Sequence, residues 1–428
     1  MNLLRDFDEL IKADVITQET ADRIQEYYKN KRSSSTNRLF IVFGILGAIL
    51  VGLGILLIIA HNWDELSRFT KTIFAFLPLL AGQMLCGYVI VKRFDSVAWR
   101  ESTAVFLFFS IGACLSLVSQ IYNIPGGPDT FVLTWMLLTL PLIYLMNASI
   151  TSMLYIVGIT YYAVYQSYRY HPSADAWFYW LLLLAVLPHY YALFRKNFDS
   201  NFMILHNWII PLSLIIALGT VAKNNGEIIY IAYFSLFGLL YLIGDLDFFT
   251  KQNPKNNGYK ILGSLGTVVL LLALSFDWYW INLTRKLLQF NQIITTPEFF
   301  ASAIISVSAG ILLFLQVKNK LLQDIKPVAL VFILFILAFF LGLSSSSIAQ
   351  ILINLYVLAI GFLMIREGAK QDHLGILNYG LLVITSLVIC RFFDTDLSFV
   401  FRGVLFVMVG AGFFAANYWM LKKRKTDD

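Results

Sequence analysis

Residues 41–60 read IVFGILGAILVGLGILLIIA, an unbroken apolar run. A helix of about 20 apolar residues matches the hydrocarbon thickness of a bilayer, so this run predicts a membrane-spanning helix. The strands of a membrane β-barrel would instead alternate apolar and polar residues over about ten positions, and this run does not alternate. Helices are therefore the predicted spanning elements.

Similar runs recur along the whole chain of 428 residues. We place about fourteen spans at residues 39–60, 72–91, 101–121, 129–146, 150–168, 177–194, 204–221, 228–244, 259–276, 299–317, 326–342, 346–365, 374–391 and 399–421. The chain is 58% hydrophobic and 14% charged, and its mean hydropathy is +0.72. Soluble proteins carry about 25% charged residues. The composition therefore excludes a soluble protein and predicts an all-α, polytopic transmembrane bundle.

Basic residues fall mainly between alternate pairs of spans. If the N-terminus lies inside, the inner segments after Arg23 hold roughly 21 Lys or Arg and the outer segments roughly 8. Because cytoplasmic loops carry such an excess, we predict a bacterial-type inner (plasma) membrane and two cytoplasmic termini. The net charge of +6 is scattered along the chain rather than gathered in one patch. No nucleic-acid partner is expected.

The first 37 residues are polar and amphipathic, unlike the rest of the chain. Apolar residues recur at helical spacing from Leu3 to Ile11, and Thr17 is suited to cap a second helix. Two short helices cannot bury an independent core. We therefore divide the chain into a cytoplasmic helical segment with a basic linker at 1–37, open to a cytoplasmic partner, and a transmembrane domain at 38–428.

Polar side chains share one helical face in two of the predicted spans. The third span carries Ser116 and Gln120 and leads to Tyr122, and the twelfth span carries Gln350 and Asn354. An uncharged polar side chain that faces lipid finds no hydrogen-bond partner, so both faces should meet protein or water. Hydrogen bonding between helices is the favoured interpretation, and a substrate-facing cavity is the alternative.

Ionisable residues gather at the outer ends of the predicted spans. They are His61, Asp64 and Glu65, beside Asn62 and Trp63, after the first span, and Arg391, Asp394, Asp396 and Arg402 around the last outer turn. A charge near bilayer depth costs roughly 2.5 to 3.5 kcal/mol, so Arg402 should pair with a carboxylate. Structural ion pairing, a ligand-coupled or proton-coupled site, and catalytic carboxylates are the three interpretations. We predict that these residues converge in space with Gln120.

Several other residues have plainer predicted roles. Trp278, Tyr279 and Trp280 suit an aromatic belt at the outer interface. Asp245, at the inner end of the eighth span, should simply be solvated. His189 should make an interfacial hydrogen bond near the inner end of the sixth span.

Motifs for catalysis or metal binding are missing from the sequence. No phosphate-binding glycine loop, HExxH, GxSxG or paired zinc motif occurs in a context that would support it. Cys86, Cys114 and Cys390 lack the spacing of metal ligands. No metal or cofactor is expected, and the sequence favours a protein that is not an enzyme without excluding one.

Three stretches carry a family resemblance: HNWDELSRFTK at 61–71, SQIYNIPGGPDTFVLTWMLLTLP at 119–141 and RFFDTDLSFVFRGVLFVMVG at 391–410. They resemble the bacterial predicted membrane proteins called domain of unknown function 2157, most clearly over residues 1–150 and again in the last 50. The resemblance implies an inner-membrane protein and supplies no catalytic residues. It points to Asn62, Trp63, Asp64, Gln120, Tyr122, Trp135, Arg391, Asp394 and Arg402 as positions to test.

The leading functional hypothesis is the binding or translocation of a small or amphiphilic molecule through an outward-facing polar cavity, with membrane lipids as partners. The alternatives are a membrane-embedded transferase or hydrolase that acts on a lipid-linked substrate, and a membrane sensor or scaffold without catalysis. The predicted ligand-binding residues are Asn62, Trp63, Asp64, Glu65, Gln120, Tyr122, Trp135, Gln350, Asn354, Arg391, Asp394 and Arg402.

Overall fold

The computed structural model describes most of the chain. The described residues are 11, 15, 17–24, 65–168, 177–196, 198–222, 226–250, 256–285, 293–318, 326–392, 398–400 and part of 403–414. These residues form helices and turns and no β-strand. Residues 1–76 and 77–428 are two compact units. The helical bundle belongs to the second unit, apart from the first turns of its leading helix.

The long helices follow one another with short connections. They are α1 (Arg68–Lys92), α2 (Val97–Tyr122), α3 (Pro128–Met146), α4 (Ser149–Tyr168), α5 (Phe178–Lys196), α6 (Asn201–Leu218), α7 (Ile229–Gly244), α8 (Gly258–Ala273), α9 (Trp278–Arg285), α10 (Pro297–Val317), α11 (Pro327–Ser344), α12 (Ser346–Lys370) and α13 (Leu374–Phe392). A single helical turn at Asp247–Thr250 follows α7, and a 3₁₀ turn at Gly219–Val221 follows α6.

The predicted spans from 72–91 to 374–391 each coincide with one of these helices, so the predicted all-α polytopic bundle is confirmed. Nine of the described helices are long and apolar enough to cross a membrane, or ten if the bent pair α8 and α9 is one span. The total of fourteen stays a prediction, because residues 39–60 and most of 399–421 lie outside the described part of the chain.

Short polar side chains begin and end several helices. The side chains of Ser200, Asn257 and Thr296 each accept a hydrogen bond from the backbone amide three residues on, at 3.2, 3.0 and 3.3 Å. Asn123 and Asn147 end α2 and α3 with φ of 50° and 46°, the left-handed conformation that asparagine tolerates. These caps explain why connections such as the one between α3 and α4 are so short.

Helix α7 is the most enclosed helix of the second half of the bundle, where it packs against α8, α10 and α11. Its sequence is apolar on every side, which is typical of a helix buried on all faces. The ring of Phe234 stacks on Phe335 of α11 with centroids 4.0 Å apart. Burial within protein also accounts for its length of 16 residues, which is short for a lipid-facing span.

Two large apolar cores hold the bundle together. The first is built by α1–α6 and includes the fully buried rings of Tyr155 and Tyr162. The second is built by α7–α13 and includes Trp280 and Phe335. The outward faces of the helices stay apolar and exposed, as lipid-facing surfaces of a membrane bundle do.

The predicted ninth span breaks instead of continuing to residue 276. Helix α8 ends at Ala273 and α9 leaves it at an angle of 73°. The aromatic belt prediction was wrong for Tyr279 and Trp280, which are buried while Trp278 is exposed. The Trp280 indole donates to the Leu274 carbonyl at 2.8 Å, so the ring fills the space that the bend opens.

Among the described residues, Arg100, Lys196, Lys260 and Lys326 lie at one end of this bundle, which we call the basic end. There α5 and α7 end, and α6, α8 and α11 begin. Contacts across helices define it: the Tyr259 hydroxyl donates to the Tyr190 hydroxyl at 3.3 Å, and the Gln316 amide donates to the Leu242 carbonyl at 2.8 Å. These residues are far apart in sequence, and the charge bias places all of them on one side of the membrane. Their contacts at the basic end agree with that placement.

Candidate functional site

The structure brings three of the predicted ligand-binding residues together at Ser275. The amides of Gln350 and Asn354 donate to its carbonyl at 3.3 and 3.0 Å. The Arg391 guanidinium donates to its hydroxyl at 3.1 Å and lies 4.6 Å from the centroid of the Phe276 ring. Ser275 is fully buried in the break between α8 and α9. These polar side chains therefore supply partners to backbone that the break has freed, as apolar surroundings require.

Other predicted residues lie in the first core instead. The Trp135 indole donates to the Phe108 carbonyl at 2.8 Å and packs flat against Gly112, where a Cβ would lie 2.6 Å from the ring. This contact joins α3 to α2. Gln120 and Tyr122 are exposed at the end of α2. The structure thus separates these three residues from the group around Ser275.

The rest of the predicted set is placed as follows. Glu65 is exposed and belongs to the first compact unit. The predicted residues Asn62, Trp63, Asp64, Asp394 and Arg402 lie outside the described residues, as do His61 and Asp396. Convergence of the two outer clusters therefore stays a prediction.

A cavity of about 470 Å³ opens at the basic end, where sequence analysis placed no site. Helices α7, α8, α11, α12 and α13 surround it. Its polar lining comprises Asn257, Lys260, Ser264, Lys326, Glu367, Gln371, His373 and Tyr379. Its apolar lining includes Phe249, Ile261, Leu265, Val328, Met364 and Ile376. Pockets of 300 to 1,000 Å³ hold small molecules, so its size suits a ligand or part of one.

Two lysines converge on one carboxylate at this cavity. The ammonium groups of Lys260 and Lys326 lie 2.7 and 2.9 Å from the same oxygen of Asp245. Asp245 ends α7, while the lysines begin α8 and α11, so this cluster ties three helices together. The expectation that Asp245 is simply solvated was wrong.

The electrostatics of Asp245 follow from these contacts. Burial alone would raise the pKa of its carboxyl, but the hydrogen bonds from Lys260 and Lys326 outweigh burial and lower the pKa. Asp245 is therefore ionised near neutral pH. Glu367 is the carboxylate that lines the cavity itself, and its oxygen accepts a hydrogen bond from Gln371 at 2.8 Å.

A close approach between α7 and α8 fixes the position of Lys260. A Cβ at Gly244 would lie 2.5 Å from the Lys260 amide nitrogen, so only glycine fits there. The Asn257 side chain donates to the Gly244 carbonyl at 2.6 Å and accepts from the Lys260 amide at 3.0 Å. The contacts of Gly244 and Asn257 therefore fix the backbone position of Lys260.

The cavity also reaches the lipid-facing surface of the bundle. Leu265, two turns into α8, lines it and yet is 50% exposed. Nearby, the hydroxyl groups of Ser264 and Tyr379 lie 3.1 Å apart and bridge α8 to α13. The cavity therefore has a charged end at Lys260 and Lys326, the two lysines that pair with Asp245, and an apolar side at Leu265 that reaches the lipid-facing surface.

The sequence pattern did not predict this site, because its basic residues are also the ones that orient a membrane protein. A usable signal was present: an aspartate ends one apolar run, and lysines begin two later runs on the same predicted side. Among the described residues, no group of three His, Cys, Asp or Glu side chains could hold a metal ion.

A bundle of long apolar helices with lipid-facing side chains defines an integral, polytopic membrane protein. The family model described as a predicted membrane protein (DUF2157) matches residues 8–152, so the resemblance is confirmed over that stretch. No curated protein and no solved structure matches the chain. The cavity at the basic end is built by residues outside the matched stretch.

Proposed function

We propose that this membrane protein binds an amphiphilic molecule in the cavity at the basic end. One observation carries the proposal: a single cavity joins Lys260 and Lys326, which pair with Asp245 behind the lining, to apolar walls and to the lipid-exposed side chain of Leu265. An amphiphile has a polar head group, which would lie at the charged end, and an apolar tail, which would lie along the apolar walls. Its tail would lie between α8 and α13.

The charged end favours a head group that combines an acidic group with hydrogen-bond donors. Each lysine ammonium has three N–H donors, and Asp245 takes one from each. The remaining donors suit a phosphate or carboxylate. The Glu367 carboxylate on the same lining suits an ammonium or hydroxyl group. A zwitterionic phospholipid such as phosphatidylethanolamine meets both requirements.

The excess of basic residues at this end supports an orientation in which the cavity faces the cytoplasmic leaflet of an inner membrane. This proposal places the site at the end opposite to the outward-facing cavity expected from the sequence. Binding is also the first step of translocation or of chemistry on a lipid. The catalytic alternative rested on Asp64, outside the described residues, and Glu65, which is exposed.

A pair of tryptophan variants tests the proposal. Leu265→Trp would fill the side opening, whereas Val269→Trp adds the same ring one turn along α8 at a residue that is 55% exposed and does not line the cavity. With pyrene-labelled phosphatidylethanolamine in detergent, we expect the first variant to lose at least about tenfold in affinity and the second to stay within about twofold. Equal binding by both variants would refute the proposed cavity.

A further inference from the structure

A second, smaller cavity of about 90 Å³ lies at the basic end of the first core. It is formed where α2, α4 and α6 begin and where α5 ends. Its lining includes Val97, Arg100, Glu101, Asn147, Ser149 and Lys196. Polar and apolar atoms both line it, so the cavity can hold a small polar group but not an acyl chain.

The carboxylate at this cavity is already engaged. Glu101 is only 5% exposed, and its two oxygens accept hydrogen bonds from the backbone amides of Ser149 and Ile150 at 2.7 and 2.8 Å. These amides are the unsatisfied donors at the start of α4, and the helix dipole favours a negative charge there. The charge of Glu101 is therefore stabilised mainly by the amides of α4, and the Arg100 charge adds to this without an ion pair.

Two cations, Arg100 and Lys196, lie beside Glu101 on the lining of this cavity. Within the described part of the chain, no carboxylate lies within 4 Å of Arg100 or Lys196. The Arg100 guanidinium lies 5.1 Å from the centroid of the Phe94 ring, and none of the described residues supplies a hydrogen-bond acceptor to its buried Nε atom. An arginine fork and a lysine ammonium around a small cavity are the groups that bind phosphate.

We infer that this cavity binds the phosphate group of a phospholipid through Arg100 and Lys196. Basic pockets between membrane helices on the cytoplasmic side bind anionic head groups. Val97, on the lining, is exposed on the outer surface of α2, which gives the acyl chains a path along the bundle. Inorganic phosphate presents the same oxygens, so the experiment must separate the two sources.

This inference stands apart from the proposed function. The small cavity belongs to α2, α4, α5 and α6, and the larger one to α7, α8, α11, α12 and α13. Leu265→Trp should leave phosphate binding unchanged. Lys196→Gln should leave pyrene-lipid binding in the larger cavity unchanged. Either proposal can therefore fail alone.

Native mass spectrometry of the purified full chain tests the inference. The probes are phosphatidylglycerol, diacylglycerol with the same acyl chains, and inorganic phosphate. We expect phosphatidylglycerol to bind at least about tenfold more tightly than diacylglycerol. Lys196→Gln should weaken it at least about fivefold, whereas Arg195→Gln, one residue away with its guanidinium over Tyr191, should stay within about twofold.

The outcomes are distinct. Arg100→Lys should keep part of the affinity that Arg100→Gln loses, because a charge remains without the arginine fork. Strong binding of inorganic phosphate, sensitive to Lys196→Gln but not displaced by phosphatidylglycerol, would overturn the lipid as the source. Equal binding of phosphatidylglycerol and diacylglycerol, or equal loss in the Lys196 and Arg195 variants, would overturn the site.

Discussion

Arg391 donates a hydrogen bond to the hydroxyl of Ser275 across 3.1 Å, joining the end of α13 to the break after α8. The serine hydroxyl in turn donates to the Leu272 carbonyl at 2.6 Å. A charged side chain at the end of a membrane span, half-buried among apolar residues, needs such partners. Arg391, which the sequence predicted to bind a ligand, therefore stabilises the break between α8 and α9.

A double-mutant cycle measures this contact. Arg391→Met should destabilise the protein by about 1 to 3 kcal/mol, because buried polar groups lose a charged partner. Combined with Ser275→Ala, the coupling energy should be about 0.5 to 2 kcal/mol, as for hydrogen bonds between membrane helices. Unfolding in mixed micelles gives both values. The exposed Gln120, changed to Ala, should shift stability by less than about 0.5 kcal/mol.

Glu101 should be a strong determinant of stability. A glutamine there can accept only one of the two amide hydrogen bonds, and its own N–H group would face the other amide. We expect Glu101→Gln to cost about 1 to 3 kcal/mol in the free energy of unfolding. Glu65→Gln makes the same chemical change at an exposed position. Similar losses in both variants would contradict the assigned role.

The Asp245 cluster predicts a pH dependence. Its carboxyl pKa is lowered in the folded protein relative to the unfolded chain, where it is about 3.9. The stabilisation is therefore complete above the unfolded value and is lost as the pH falls through the folded value. Wild type should lose stability as the pH drops from about 5 to 3, and Asp245→Asn should show a flatter profile.

The control for that profile is Asp277→Asn, which removes an exposed carboxylate at the other end of α8. Its unfolding midpoint should follow the wild-type curve at every pH. A wild-type slope that persists in Asp245→Asn would show that other carboxylates dominate the acid response.

The charge bias predicts the orientation of the chain. Reporter fusions after Lys92, Lys251 and Lys422 should report the cytoplasm, and a fusion near Asn282 should report the outside. Because one missed span inverts every later loop, a reversed signal at a single position refutes the fourteen-span topology.

The helices were predictable because apolar runs of bilayer length are a local property of the sequence. The polar face of the twelfth span was predictable for the same reason, and Gln350 and Asn354 do meet protein. Their partner was not predictable, because Ser275 lies one residue before the predicted end of the ninth span and no proline marks a break there.

Neither cavity could be predicted from local patterns in the sequence. Asp245 meets Lys326 across 81 residues, and Glu101 meets the amide of Ser149 across 48. Such contacts depend on which helices pack together, and the spacing of residues along one helix does not specify this. The sequence placed Asp245, Lys260 and Lys326 on the same predicted side of the membrane, but it did not specify that their helices pack together.

The location of a bound amphiphile tests the central claim most directly. A photoactivatable phosphatidylethanolamine, cross-linked in native membranes, should label α8 and α13 above the level of α10, which faces lipid over most of its surface. Leu265→Trp should abolish the excess labelling of α8 and α13 without changing α10. Uniform labelling of all three helices, unaffected by Leu265→Trp, would contradict the account.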